Sequence, residues 1–329
     1  MRRLVAALTS LLLGLTLMTL AVPTAQAAGR TYHVSPSASA GGDGSASSPF
    51  RTIAAALAKA GNGDTIELAN GTYREGNLYV RKAVAIRAAS GAHPVISGAT
   101  TASGWAASGN GTWSVGNQVR YCTVCTADAD PTKEGMAAHP EQVFVDGSPL
   151  TQVGSRSAVT ASSFYVADSD PVTLKSAHNN RAGYNVKPHR GTTYVIGVDP
   201  SKHRVEIVQY ARALTVAANG ASISGLTVEK YSPVQQSDYK DPEIGNATGS
   251  SMVTISGTNT SVTDSTFRYS AAGPAVSVSN ATSTMHATMA MPKMPWPLVS
   301  SSAMSSGCVQ RWTVVPSDST VVSAMSSRS

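Results

Sequence analysis

The run Gly63-Asp64-Thr65-Ile66-Glu67-Leu68, followed by Asn70-Gly71-Thr72-Tyr73-Arg74-Glu75, decides the fold. Thr65 to Leu68 alternates polar and apolar residues, as a strand with one buried face does, and Asn70-Gly71 turns the chain at its end. Upstream stand Tyr32-His33-Val34-Ser35, Gly41-Gly42-Asp43-Gly44-Ser45 and Ser48-Pro49-Phe50-Arg51-Thr52-Ile53, leading into an Ala-rich segment that ends at Lys59-Ala60. That segment reads as a short helix over residues 52–60, with Thr52 as N-cap and Gly61 as stop. Ile53, Ala56, Leu57 and Ala60 share its apolar stripe. A helix placed immediately before short strands is the cap a solenoid needs, because an open end exposes both core and unpaired strand edge.

More short alternating segments follow: Tyr79-Val80, Val84-Ala85-Ile86-Arg87 and Val95-Ile96-Ser97-Gly98, each bounded by Gly, Asn or Pro. The pattern returns at Leu214-Thr215-Val216 with Ile223-Ser224-Gly225-Leu226-Thr227-Val228. It returns again at Val253-Thr254-Ile255 with Val262-Thr263-Asp264-Ser265-Thr266-Phe267, both parts displaced by one constant offset. That offset is too long for a plain coil. Val276-Ser277-Val278 then follows Val253 at an ordinary coil length, so the surplus in the longer step is a loop between Glu229 and Thr248. Insertions of this kind extend from one face of a solenoid, often the binding face.

Residues 105–212 break the rhythm. Trp105 and Trp113 lie in Gly/Asn-rich surroundings, and Asp146-Gly147 is a hairpin turn between the apolar flanks Val143–Val145 and Leu150. With Ser163-Phe164-Tyr165-Val166 and Thr193-Tyr194-Val195-Ile196 they predict an inserted antiparallel β module, with a polar loop from Asp168 to Gly191. The expected divisions are a leader at 1–27, cap and first coils at 28–104, the module at 105–212, resumed coils at 213–280 and an aberrant tail at 281–329.

In that tail neither strand alternation nor a helical stripe is apparent, and six of the chain's ten Met fall there. Ser302-Ala303-Met304-Ser305-Ser306 recurs as Ser323-Ala324-Met325-Ser326-Ser327, a spacing close to one coil. With TCN serine codons, Met-Ser-Ser read one frame over becomes a polar residue or Tyr, then Val, then an apolar residue, as in a coil strand. The expectation is therefore a frame change near 281 that leaves a truncated, uncapped and aggregation-prone solenoid; the alternative is a genuine disordered Ser/Met-rich tail.

Arg2 and Arg3 precede an apolar run from Leu4 to Val22, and Ala25-Gln26-Ala27 is a small-residue cleavage site. This is a secretory signal; an uncleaved membrane anchor is the competing reading. The formal net charge is +6, but part of it falls in the leader and tail. Residues 28–280 are then nearly neutral, which is no footprint for nucleic acid. An exported, secreted monomer without membrane contact is expected. Cys122 and Cys125 form a lone Cys-x-x-Cys, for which a local disulfide is expected after export. A zinc site would need a second ligand pair beyond His139, and a redox role would need a βαβ context.

The order of motifs over residues 31–98 resembles the opening of secreted, pectate-lyase-like right-handed β-helix proteins. The stretch from Val95 through Trp105 and Trp113 to the Val143–Leu150 hairpin resembles the inserted module of actinobacterial β-helix proteins and of β-xylosidase-type glycosidases. The resemblance implies an all-β, right-handed parallel β-helix, a single-stranded solenoid whose enzymes act on acidic or neutral polysaccharides. No catalytic residue carries over by motif.

In such a solenoid, residues at equivalent positions of successive coils stack about 4.8 Å apart. The offset that carries Leu214 to Val253 stacks Glu229 on Arg268 and Lys230 on Tyr269, beside a loop holding Asp238, Tyr239, Lys240, Asp241 and Glu243. A lyase reading takes Lys230 or Arg268 as the base, with Asp238, Asp241 and Glu243 as hard oxygen ligands for Ca²⁺. A glycosidase reading pairs Glu229 with Asp241 or Glu243, about 5–5.5 Å apart for retention or about 6.5–9.5 Å for inversion. Tyr231, Tyr239 and Tyr269 would hold the sugar. A bland reading competes with both: Glu229–Arg268 as a cross-coil ion pair beside a solvated loop. The functional classes are thus a polysaccharide lyase or glycosidase, inactive if truncated ahead of its catalytic coils, and a non-catalytic polysaccharide-binding or cell-surface β-helix protein.

Overall fold

The computed structural model describes residues 29–120, 141–167, 189–233, 240–241, 245–246, 251–271, 275–279, 283–291, 310–316 and 322–325. Its short strands stack in parallel on three faces. The first face is Leu78–Val80, Leu214–Val216, Val253–Ile255 and Val276–Val278. On the second, Thr31–Val34, Thr65–Leu68, Ala85–Ala88, Ser222–Ser224 and Ser261–Ser270 follow one another. The third holds Thr72–Tyr73, Val95–Ser97, Thr227–Tyr231 and the later half of Ser261–Ser270. The chain visits the faces in turn, one circuit per coil, which makes this an all-β parallel β-helix.

Period-two alternation sets what lies inside. Leu78, Leu214, Val253 and Val276 stack inward from the first face, Ile66, Ile86, Ile223 and Val262 from the second, and Ile96, Val228 and Phe267 from the third. One continuous apolar column results. The register ignores the length of the connections: Leu214 stands beside Val253, and Val253 beside Val276.

The helix Ile53–Lys59 closes the N-terminal end, packing on Thr31–Val34, Thr65–Leu68 and Leu78–Val80. Thr52 caps it as expected, its hydroxyl accepting from Ala55 N–H at 3.2 Å, and Ile53, Ala56 and Ala60 are buried. The run Tyr73-Arg74-Glu75 fastens this end. Tyr73 reaches the Val34 and Ala69 carbonyls at 2.8 and 3.0 Å. Glu75 accepts from the free helix-start amides of Ile53 and Ala54 at 2.8 and 3.0 Å. Among the described residues no helix is long and apolar enough to cross a membrane.

The inserted β module is present, and its sheet begins earlier than residue 105. Ala99–Thr101 already pairs antiparallel with Val205–Val208, which pairs with Val143–Val145. A second sheet runs Thr151–Gln152, Ser163–Ala167, His189–Ile196, Trp113–Arg120, Ala106–Ala107. Asp146 (φ 50°) and Gly147 (φ 89°) form the expected hairpin turn, both left-handed. The module has its own core of Val115, Val143, Phe164, Val166, Tyr194, Ile196, Val205 and Ile207.

Beyond Asn280 the structure differs from the pattern reading. Thr284–Met291 continues the second and third faces in parallel with Ser261–Ser270, Gln310–Pro316 pairs on it, and Val322–Met325 follows antiparallel. A ladder needs only backbone groups and a side chain able to fill the inner slot. Met285, fully buried, fills it where a β-branched residue stands in earlier coils.

Candidate functional site

The expected Glu229–Arg268 stack is real, and it has a lid on it. Glu229 pairs with Arg268 in register, and the Arg268 Nε donates to Glu229 Oε2 at 2.6 Å. Lys230 and Tyr269 both adopt left-handed backbone (φ 61° and 57°) and drop out of the register between Glu229/Arg268 and Tyr231/Ser270. A left-handed residue within a strand breaks the alternation and leaves two consecutive side chains on the same side. Glu229 with Lys230, and Arg268 with Tyr269, therefore face outward together, straight into the module.

There Lys230 meets two carboxylates, Glu206 Oε2 at 2.7 Å and Glu229 Oε1 at 3.3 Å, with its ammonium 4.7 Å from the Phe144 ring centroid. Arg74 completes the chain from the other side, donating to Glu206 Oε1 at 2.6 Å and to the Ala99 carbonyl. Phe144 also meets Tyr269 edge-on at 5.1 Å. Gln142 donates to the Tyr231 and Tyr269 carbonyls at 3.0 and 3.3 Å. The side chains of Glu206, Lys230 and Glu229 are 2%, 6% and 6% exposed. Burial alone would raise the Glu206 carboxyl, but hydrogen bonds from Lys230 and Arg74 outweigh it and hold the group below its ordinary range.

This cluster fastens the module to the solenoid. As placed, Lys230 is a donor engaged by two acids, and Glu229 has a cation on each oxygen, so neither is set out to exchange a proton with a substrate. Tyr231 does not line a sugar-binding surface. The left-handed residue Lys230 resets the alternation, so the Tyr231 ring is wholly buried in the solenoid core and its hydroxyl donates to the Glu75 carbonyl. Arg268 and Tyr269 remain half-exposed at the rim. Asp238, Tyr239, Glu243, Cys122 and Cys125 lie outside the described residues. Asp241 is described by its backbone alone, in the short antiparallel ladder Lys240–Asp241 with Gly245–Asn246.

Both long insertions open onto the first face. The module leaves the solenoid after Ser97 and returns at Leu214; the loop leaves after Tyr231 and returns at Val253. Both insertions therefore occupy the same connection, the one that leads into the first face. The links from that face to the second, such as those after Val80, Val216 and Ile255, are short. The outward row of the first face is Tyr79, Thr215, Thr254 and Ser277, all half-buried. Arg81 stands 5.0 Å from the Tyr79 ring centroid. Ser251, where the loop returns, shares a hydrogen bond with Thr254 at 3.0 Å.

Where the module returns stands Arg212, buried at 9% exposure. Its Nη1 donates to Thr215 Oγ1 at 3.2 Å, and its buried Nε has no hydrogen-bond partner among the described residues. Burial pushes this guanidinium below its usual range, opposed only by the Tyr79 hydroxyl. Beside it the Tyr210 ring packs where a side chain at position 76 would sit: a Cβ on Gly76 would come within 2.4 Å of it. Sequence reading overlooked Arg212 and Glu206. In each case the available signal was a charge inside an apolar run, Tyr210-Ala211-Arg212-Ala213-Leu214 and Val205-Glu206-Ile207-Val208.

A family model described as a protein of unknown function (DUF1565) matches residues 38–78, the stretch holding the cap helix and the Tyr73-Arg74-Glu75 run. No curated protein matches the chain. Among solved structures it is similar to a complex of XylC with xylose, at 15% identity over 80% of this chain and 60% of that one, with a TM-score of 0.47. A glycoside hydrolase is similar at 10% identity over 80% of this chain and 73% of that one, TM-score 0.41. The pectin methylesterase PemA from Erwinia chrysanthemi is similar at 15% over 79% and 49%, TM-score 0.32. The chain spans 60% of the length of the XylC structure. The assignment of fold rests on the ladders of the chain itself.

Proposed function

We propose that this chain is a secreted carbohydrate-active β-helix protein that holds a polysaccharide on its first face. The observation that carries the reading is the placement of both long insertions at one edge of one sheet, the arrangement by which a solenoid builds a binding face. The outward row of that sheet suits a sugar chain. The Tyr79 ring offers an apolar plane, Arg81 and Arg212 are donors, and the hydroxyls of Thr215, Thr254 and Ser277 repeat coil by coil. The leader pattern, Arg2-Arg3 with an apolar run and Ala25-Gln26-Ala27, supports export.

The acids and bases described at the module junction serve as a structural clamp, so binding is the activity the described residues support. A second reading, lyase or glycosidase, draws on one observation: the loop with Asp238, Asp241 and Glu243 joins the chain at the edge of this same face. In that case Ca²⁺ held by the loop carboxylates would stabilise an enolate.

The test is co-sedimentation with a panel of insoluble acidic and neutral polysaccharides, with reducing-end release and ultraviolet absorbance of unsaturated uronates followed on the same samples. Retention on a glycan, weakened in Tyr79→Ala, is expected. Retention unchanged in Tyr79→Ala would place binding elsewhere, and no retention on any glycan would overturn the reading. Released product would establish the enzyme, and its unsaturation would separate lyase from hydrolase.

A further inference from the structure

We infer that Arg212 is the seat of an oxyanion carried by a saccharide, a carboxylate or a sulfate ester, at the module end of the first face. The inference rests on the polysaccharide-binding reading and adds the charge of the ligand. A buried cation normally has a buried anion beside it, because desolvating an unpaired charge is costly. The carboxylates of the clamp obey this: Glu206 has Arg74 and Lys230, and Glu229 has Lys230 and Arg268. Arg212 does not. Among the described residues the one polar contact of its guanidinium is the Thr215 hydroxyl, and no carboxylate faces it. Thr215 lies in the outward row between the inward Leu214 and Val216, so the guanidinium lies over the outer side of the sheet.

A planar guanidinium with an unused N–H matches an oxyanion by charge-assisted hydrogen bonds. Tyr79, level with Thr215 on the neighbouring coil, supplies the apolar plane against which the sugar bearing that group would rest.

The test compares the wild type with Arg212→Met by thermal melting and calorimetry, against an oligogalacturonate, its fully methyl-esterified counterpart and inorganic sulfate. Without anion, Arg212→Met is expected to melt at or above the wild type, since it removes an uncompensated buried charge. With ligand, the wild type is expected to prefer the free acid over the ester by roughly tenfold or more, and the variant to lose that preference. A variant that melts well below the wild type without anion would make Arg212 an internal structural group and overturn the proposal. Equal binding of acid and ester by the wild type, or a preference retained in Arg212→Met, would also overturn it. Sulfate that protects only the wild type, with no saccharide bound, would uphold the oxyanion seat and fail the carbohydrate reading instead.

Discussion

Glu229 and Arg268 occupy the same position of successive coils, with the Arg268 Nε 2.6 Å from the Glu229 carboxylate. The Arg268 side chain is 42% exposed and Glu229 only 6%, so the pair straddles the rim of the junction between solenoid and module. Its inner neighbour Lys230 is buried with both of its acids. Arg268→Ala should therefore cost only about 1 kcal/mol after solvent screening, while Lys230→Met should cost about 3–5 kcal/mol by leaving Glu206 and Glu229 short of a cation. Urea unfolding of both variants decides the order. An equal loss would mean that the junction does not depend on its buried lysine.

Acid should loosen this junction. Glu206 is held below its ordinary 4.5, so its contribution to stability is complete above that value and is lost as pH falls through the depressed one. Glu75 runs the other way: burial raises it, outweighing the amide hydrogen bonds of Ala54 and Ile53, and the stability linked to it falls as pH rises through the raised value. Glu206→Gln should therefore flatten the acid limb of a stability profile taken from about pH 3 to about pH 7. Glu75→Gln should leave that limb intact and lift the neutral end.

Gly98 is the point at which the chain leaves the solenoid for the module. A Cβ there would stand 2.4 Å from the Lys230 carbonyl and 2.6 Å from the Tyr231 ring. Gly98→Ala should cost about 1–3 kcal/mol through overpacking. Because the displaced backbone is that of Lys230, whose side chain holds Glu206, hydrogen exchange in Val205–Val208 should rise along with it. A variant with wild-type stability and exchange would show that the Lys230 backbone yields without consequence.

Much of the solenoid was legible in the sequence because it depends on local rules. The Thr52 cap, the Asp146-Gly147 turn and the constant offset from Thr227 to Thr266 each follow from residue types at short or repeated spacing, and each is found. The stacking of Glu229 on Arg268 was legible for the same reason. What covers that stack was not. The left-handed turns of the backbone at Lys230 and Tyr269 use residues with no strong left-handed preference, so no local signal marks them. Alternation carried across Lys230 puts Tyr231 on the wrong side. Arg74 and Glu206, far apart in the chain, meet only because the module folds back. The strand at Thr284–Met291 was hidden because Met and Ala fill inner positions that pattern reading reserves for Val and Ile.

The coil register is indifferent to what is spliced between its strands. Leu214 finds Val253 across the long loop, and Val253 finds Val276 across an ordinary coil, by the same pairing in register. The solenoid thus behaves as a chassis with a fixed docking port: segments of very different length can be exchanged at the link into the first face while the ladder on either side closes unchanged. The wall beside the first face could then be changed by swapping the segment in that port, with the outward row and the stacked core inherited intact.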